Sequence, residues 1–336
     1  MLKLLLFGIV FATSYIVTGG MRIYAFNKGL VDVPGPRSSH SIPTPHGGGL
    51  AIAVTVLGAI AVEFFSHAMP LTLFMALFWG GLAVAAIGFW DDHVPVATCV
   101  RIIVHFAAAS WAIYWLGGFP PLPVGDFFWD LGWAGHLVGV VAIVWLLNLY
   151  NFMDGIDGIA AVEAITVAGA VYLIILAGKP NESSLWLGLI VVATLGFLPW
   201  NWPPARIFMG DVGSGFLGFV LAVLAIYTAH QGTLTIWTWT ILLGVFIADA
   251  TVTLLRRTIS RQQWYLAHRS HAYQHAAIRW SSHRCVTLAV LAINIVWLAP
   301  LAWFVNQRPQ SGLVVTGVAL IPLVIMALML DAGRGT

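Results

Sequence analysis

Between Asp211 and His230 the chain reads "VGSGFLGFVLAVLAIYTA", without one charged side chain. A hydrocarbon core asks for roughly 20 apolar residues from each helix that crosses it. Runs of this kind recur about eleven times. They lie near 3–25, 48–68, 70–90, 98–117, 136–152, 157–177, 184–201, 212–229, 235–256, 285–305 and 312–330. Proline and glycine punctuate most of the gaps, as in "GKPNESS". The pattern predicts an all-α, polytopic membrane protein in which 1–336 form one domain.

Composition agrees, with 60% of the 336 residues hydrophobic and 8% charged, where a soluble domain carries about a quarter charged. Cys99 and Cys285 supply neither a disulfide framework nor a zinc spacing. The opening "MLKLLLFGIVFATSYIVTGG" has features of a cleaved leader. Its apolar run continues through "MRIYAF", so it is read as an uncleaved first span.

The net charge of +2 says little, whereas the placement of the charges orients the chain. Alternating the spans puts loops near 26–47, 91–97, 153–157, 202–211 and 257–284, with the helix ends that carry Arg22, Arg101 and Arg256 and with the C-terminus, on one side. That side holds twelve of the fifteen basic residues, leaving Lys3, Lys179 and Arg308 on the other. Basic loops stay cytoplasmic, so the N-terminus is expected outside (periplasmic) and the C-terminus inside.

The acids Asp32, Asp91, Asp92, Asp154, Asp157, Asp211 and Asp249 then all fall at or near cytoplasmic span ends. Carboxylates close to a bilayer are costly and mark function by default. In "GFWDDHVP" the adjacent Asp91 and Asp92 repel, so one of them binds a cation or a proton more readily than a lone acid. In "NLYNFMDGIDGIA", Asn148, Asn151 and Asp154 drift along one helical face, and each of Asp154 and Asp157 precedes a glycine. The doubled Asp-Gly lacks the order of a calcium loop and, with the two amides, reads as a ligand site.

In "IFMGDVGSGFLGF", Asp211 is followed by Gly213, Ser214 and Gly215 at a helix start. Free N–H groups there suit a phosphate, and Asp211 is placed to hold Mg²⁺ beside it. Small-residue helix packing remains an equal account of Gly215 and Gly218. The loop "RRTISRQQWYLAHRSHAYQHAAIRWSSHR" sets His268, His271 and His275 at i, i+3, i+7 among six arginines, Arg269 included. A zinc site lacks a local fourth ligand, so a cationic cradle for a diphosphate is preferred. "DVPGPRSSHSIPTPHGGG" adds a weaker signal in Asp32, Arg37, His40 and His46, and Glu63 and Glu163 have no legible role.

Acids for Mg²⁺, glycine-opened helix ends and a His/Arg loop on one face fit the joining of a nucleotide-activated group to a lipid phosphate. On "DVPGPRSSHSIPTPHGGG", "GFWDD", "NLYNFMDGIDGIA", "FMGDVGSGFLG" and "HRSHAYQH", in that order, the chain resembles the polyprenyl-phosphate N-acetylhexosamine-1-phosphate transferases. The resemblance runs from about Asp32 to Arg284. It implies transfer of a sugar 1-phosphate from a UDP-N-acetyl amino sugar to undecaprenyl phosphate in the bacterial inner membrane. It also implies Mg²⁺ (or Mn²⁺ in its place), a cytoplasmic active site and no nucleic-acid partner; a homodimer stays open.

Carried over by position, Asp91 and Asp92 match an acidic pair tied to Mg²⁺ or to deprotonating the lipid phosphate. Asn151, Asp154 and Asp157 match the nucleotide and catalytic motif, and Asp211 the principal Mg²⁺ ligand. His268, His271 and His275 match the loop linked to diphosphate and sugar recognition. "HRSHAYQH" departs from the consecutive histidines of the muramyl-pentapeptide enzymes. It looks closer to the branch that starts O-antigen on 6-deoxy amino sugars such as N-acetylfucosamine or N-acetylquinovosamine. The rivals are an ion-coupled transporter, which would carry its polar groups mid-span, and an intramembrane aspartyl protease, which would carry two deep aspartates.

Overall fold

The computed structural model describes residues 2–35, 42–178, 180–262 and 269–334. The helices are α1 (Leu2–Lys28), α2 (Leu50–Phe65), α3 (Leu71–His93), α4 (Thr98–Leu116), α5 (Ala134–Phe152), α6 (Ile159–Ala177) and α7 (Ser183–Asn201). They continue with α8 (Asp211–His230), α9 (Ile236–Leu242), α10 (Gly244–Ile259), α11 (Ala272–Trp280), α12 (His283–Gln307) and α13 (Pro309–Met329). Two small antiparallel pairs accompany them: β1 (Val31–Asp32) with β2 (Thr44–Pro45), and β3 (Leu122–Val124) with β4 (Phe127–Trp129).

Among the described residues nine helices are long and apolar enough to cross a membrane. The pair α9–α10, bent by 76°, and the shorter α2 account for the two further apolar runs. The protein is therefore a nearly all-α multi-pass membrane protein. What the hydropathy pattern missed is the break at Leu243, the helix α11 inside the 257–284 loop, and both strand pairs. Strands of two or three residues carry no period to read.

α8 is the axis of the bundle. Of its apolar window 94% is buried, against 17% for α1 at the edge. Helices in lipid gain no hydrophobic force by associating, so close backbone approach through small residues decides which of them touch. A Cβ on Gly218 would stand 2.7 Å from Tyr150 Cβ and 2.9 Å from Leu147 Cα, which brings α5 against α8. A Cβ on Gly49 would stand 2.3 Å from Gly213 Cα, bringing in the start of α2. A Cβ on Gly88 would stand 2.7 Å from the Asp211 carbonyl, bringing in α3. These three crossings draw the ends of α3 and α5 and the turn before α2 toward the first residue of α8.

Gly88→Ala is accordingly expected to overpack the α3–α8 crossing, at about 1–3 kcal/mol. A methyl on Gly58 would meet nothing within 4 Å. Gly58→Ala is expected to be neutral or stabilising by about 1 kcal/mol from helix propensity alone. Thermal unfolding of the two purified variants in one detergent checks the contrast, and equal melting temperatures would contradict it.

Candidate active site

Gly210 makes the turn into α8 at φ +77°, a left-handed conformation that glycine adopts without a Cβ penalty. The missing side chain also admits Asp92, since a Cβ on Gly210 would stand 2.6 Å from Asp92 Oδ2. Asp92 fills that space as a cap. Its Oδ1 accepts the Asp211 N–H at 2.9 Å and its Oδ2 the Val212 N–H at 3.2 Å. The N-terminus of α8, expected to be open to a phosphate, thus already holds a carboxylate from α3. The Gly213 expectation changes for a related reason: Gly213 packs on Gly49, and its lack of a side chain serves that crossing.

Asp211 is held by side chains. Its Oδ1 accepts from Asn151 Nδ2 at 2.9 Å and its Oδ2 from Arg101 Nη1 at 2.8 Å. Asn151 Nδ2 also donates to Ser214 Oγ at 3.0 Å, and Ser214 Oγ donates to the Gly210 carbonyl at 3.0 Å. Arg101 Nη1 reaches Asp91 Oδ2 as well, while Asp91 Oδ1 accepts the Val96 N–H at 2.7 Å. One guanidinium therefore bridges the two carboxylates, Asp91 and Asp211, that the sequence assigns to a metal.

Asp154 and Asp157 part ways. Asp157 is buried, with Oδ2 accepting the Ala205 N–H at 3.0 Å and Oδ1 lying 3.3 Å from His283 Nδ1. Half-buried Asp154 has no hydrogen-bond partner for its carboxylate among the described residues. Burial pushes its carboxyl well above the usual carboxylate range, and the charges of Asp211, Asp92 and Asp157 push it further. Across the cavity, His46 Nδ1 lies 3.8 Å from Asp92 Oδ1. The nearby Asp92 carboxylate raises the imidazole's proton affinity above the ordinary His value, against an opposing desolvation.

Three cavities meet here. A polar one of about 540 Å³ is lined by His46, Asp92, Asn151, Asp154, Asp157 and Asp211, among others. An apolar groove of about 270 Å³ runs between α3, α4 and α5, and carries Arg101. The two share Asn151 and Asp211. A wider cleft of about 750 Å³, with His283 and Arg284, adjoins the polar cavity through Asp157 and Phe208.

Not every residue expected at the site is there. Asn148 lines the groove, outside the polar cavity, and its Nδ2 donates to its own helix at the Val144 carbonyl, 2.7 Å away. His271 is 2% exposed, with Nδ1 3.2 Å from Asp249 Oδ1. Asp249 also accepts the Ala272 and Tyr273 N–H groups, both at 2.9 Å, so this pair caps α11. His275 Nδ1 donates to the Leu330 carbonyl at 2.7 Å. Arg269 has no hydrogen bond or ion pair among the described residues. His268, Arg37, His40 and Lys179 lie outside those residues. His271, at the N-cap of α11, and His275, within it, turn to Asp249 and to the Leu330 carbonyl, so these two do not face the polar cavity together.

From that helix Gln274 reaches the polar cavity instead. Arg101, read in the sequence only as a topology charge, is the other omission. Its signal was available: it stands three residues inside an apolar helix, where a charge needs a partner. The acids sit at helix ends, Asp92 in the last turn of α3 and Asp211 first in α8, and this disfavours both mid-membrane rivals.

Residues 73–229 match the family described as "Glycosyl transferase family 4". The chain is 30% identical over 292 residues to the "Probable undecaprenyl-phosphate N-acetylglucosaminyl 1-phosphate transferase" of Bacillus subtilis, covering 85% of this chain and 80% of the relative. It is 28% identical over 296 residues to the "Phospho-N-acetylmuramoyl-pentapeptide-transferase" of the same organism, covering 79% and 88%. With the "Decaprenyl-phosphate N-acetylglucosaminephosphotransferase" of Mycobacterium tuberculosis it shares 28% over 370 residues, covering 92% and 86%.

Proposed function

The chain belongs to glycosyl transferase family 4, and on that premise we propose that it transfers a sugar 1-phosphate from a UDP-N-acetyl amino sugar to undecaprenyl phosphate. The observation that carries this reading is the pair of unlike cavities meeting at Asn151 and Asp211. An apolar groove with one arginine suits a phosphate on a hydrocarbon tail. An acid-lined polar cavity suits a diphosphate that arrives with a cation.

In the reaction an oxygen of the lipid phosphate forms a bond to the β-phosphorus of the UDP-sugar. The bond from that phosphorus to the bridging oxygen breaks, and its electron pair leaves with UMP. Arg101 draws the acceptor phosphate to the groove side of Asp211, and Asn151 keeps the Asp211 carboxylate oriented. The phosphate's second ionisation, near pH 6 in monoesters, supplies the nucleophile without a strong base.

Mg²⁺ commonly takes one or two carboxylates together with substrate phosphates and is seldom caged by protein alone. Asp154, with its unpartnered carboxylate, and Asp211 fit that role. Asp91, which lines neither the groove nor the polar cavity, does not. Among the described residues no three His, Cys, Asp or Glu side chains could hold an ion by themselves, in keeping with an ion that comes with the nucleotide. Bound there, Mg²⁺ would neutralise charge building on the diphosphate.

The acid-bearing end is assigned to the cytoplasm of a bacterial plasma membrane, on the support of the basic loops. The sugar is assigned to the 6-deoxy amino sugars of O-antigen initiation, on the support of "HRSHAYQH". Purified protein with undecaprenyl phosphate and a panel of UDP-sugars tests both levels. UMP release with a butanol-soluble sugar lipid is expected, fastest with UDP-N-acetylfucosamine or UDP-N-acetylquinovosamine. Preference for UDP-N-acetylglucosamine would remove the branch assignment, and lipid-independent or absent UMP release would remove the function.

A further inference from the structure

The apolar groove contains more polarity than a hydrocarbon tail needs. On α4, Thr98, Arg101 and His105 recur at i, i+3 and i+7, and all three line it. On α5, Asn148 and Asn151 face them at i and i+3. Arg101 and Asn151 are engaged with Asp211. His105 and Asn148, one turn deeper along each helix, make no hydrogen bond or ion pair with an acid of the polar cavity among the described residues.

Their state is unusual. The His105 ring faces the Asn148 side chain, and Asn148 Nδ2 donates to the Val144 carbonyl at 2.7 Å. That bond anchors the amide to its own helix. His105 Nδ1 is buried without a hydrogen-bond partner among the described residues. A neutral imidazole has one donor and one acceptor, and Asn148 satisfies one nitrogen at most. A buried polar atom left alone costs about 1–3 kcal/mol, so a bare helix-packing pair is a poor use of this position. A ligand that brings oxygens down to this level removes the deficit once the ring turns this nitrogen toward the groove.

We propose that His105, steered by Asn148, is a positioning residue for the acceptor: it offers a ring nitrogen to the lipid phosphate that Arg101 has drawn into the groove. Two donors one helical turn apart then fix the phosphate's depth and rotation, with the remaining oxygen turned toward Asp211 and the polar cavity. This rests on the transferase reading and specifies which side chains select the acceptor.

The test is steady-state kinetics on purified wild type, His105→Leu, His105→Asn and His105→Gln, varying undecaprenyl phosphate and UDP-sugar separately. Loss of a hydrogen bond to a charged group is expected to raise KM for the lipid by about tenfold or more in His105→Leu. KM for the UDP-sugar should stay unchanged. Asparagine, whose side-chain amide stands where Nδ1 does, should recover most of the difference, and glutamine, whose amide falls at the Nε2 position, should not. Equal lipid KM across the series, or a parallel rise in both KM values, overturns the proposal. Should His105→Leu not fold, the Gln–Asn contrast decides by itself. The wild-type rates read the transferase assignment independently, since a protein with no lipid-dependent UMP release fails there before any variant is compared.

Discussion

Asp211→Asn is expected to lower turnover by about three orders of magnitude, the upper range for removing one preorganised electrostatic group, while leaving the protein folded. Asparagine keeps an oxygen for the Asn151 amide, and the Asp92 cap on the Asp211 and Val212 N–H groups involves only backbone. What is lost is the negative charge at the one acidic residue, among those described, that faces both cavities. UMP release per enzyme, measured beside the melting temperature, separates the two effects. Turnover within tenfold of wild type would show that the carboxylate does not act on the reacting phosphates.

Asp154→Asn should separate activity from stability in the opposite sense. Its carboxyl is raised well above the ordinary range by burial and by three neighbouring acids. The folded protein therefore binds this proton more tightly than the unfolded chain does. Stability contributed at this site falls as pH rises from the usual carboxylate range through the folded value, and is flat above it. The asparagine variant has nothing to ionise. It is expected to melt higher than wild type at neutral pH, and the gap should close as pH falls below about 4, where the wild-type carboxyl becomes neutral in both states. Activity should fall by about two orders of magnitude or more. A gap that does not change with pH would mean that the carboxylate is not held against its charge, and unimpaired turnover would remove it from the site.

The two experiments ask different things of acids that look alike in the sequence. Asp92 and Asp157 each cap backbone N–H groups, and Asp91 is tied to Arg101 and Val96. Of Asp91, Asp92, Asp154, Asp157 and Asp211, only Asp154 and Asp211 have no backbone donor to their carboxylates among the described residues. Their positions in "MDGIDG" and "MGDVG" do not distinguish them from the others. The difference lies in what each carboxylate finds opposite it once the helices have packed.

Hydropathy alone determined the membrane class and the succession of helices, because the bilayer tests each stretch of about 20 residues separately. Motif order alone pointed to the family; of the acids it marked, Asp91 and Asp92 meet Asp211 at the first turn of α8, and Asp154 and Asp157 line the same polar cavity as Asp211. Partners across the helices were another matter. That Arg101 lies between Asp91 and Asp211, that Asp92 closes a helix end expected to be open, and that His271 turns inward to Asp249 all depend on how each helix is rotated about its axis. That rotation is set where glycines let backbones touch, at Gly49 on Gly213, Gly88 on Asp211 and Gly218 on Tyr150. Each such contact joins residues far apart in the chain, so no local window contains both sides of it. Only the packed bundle brings them together.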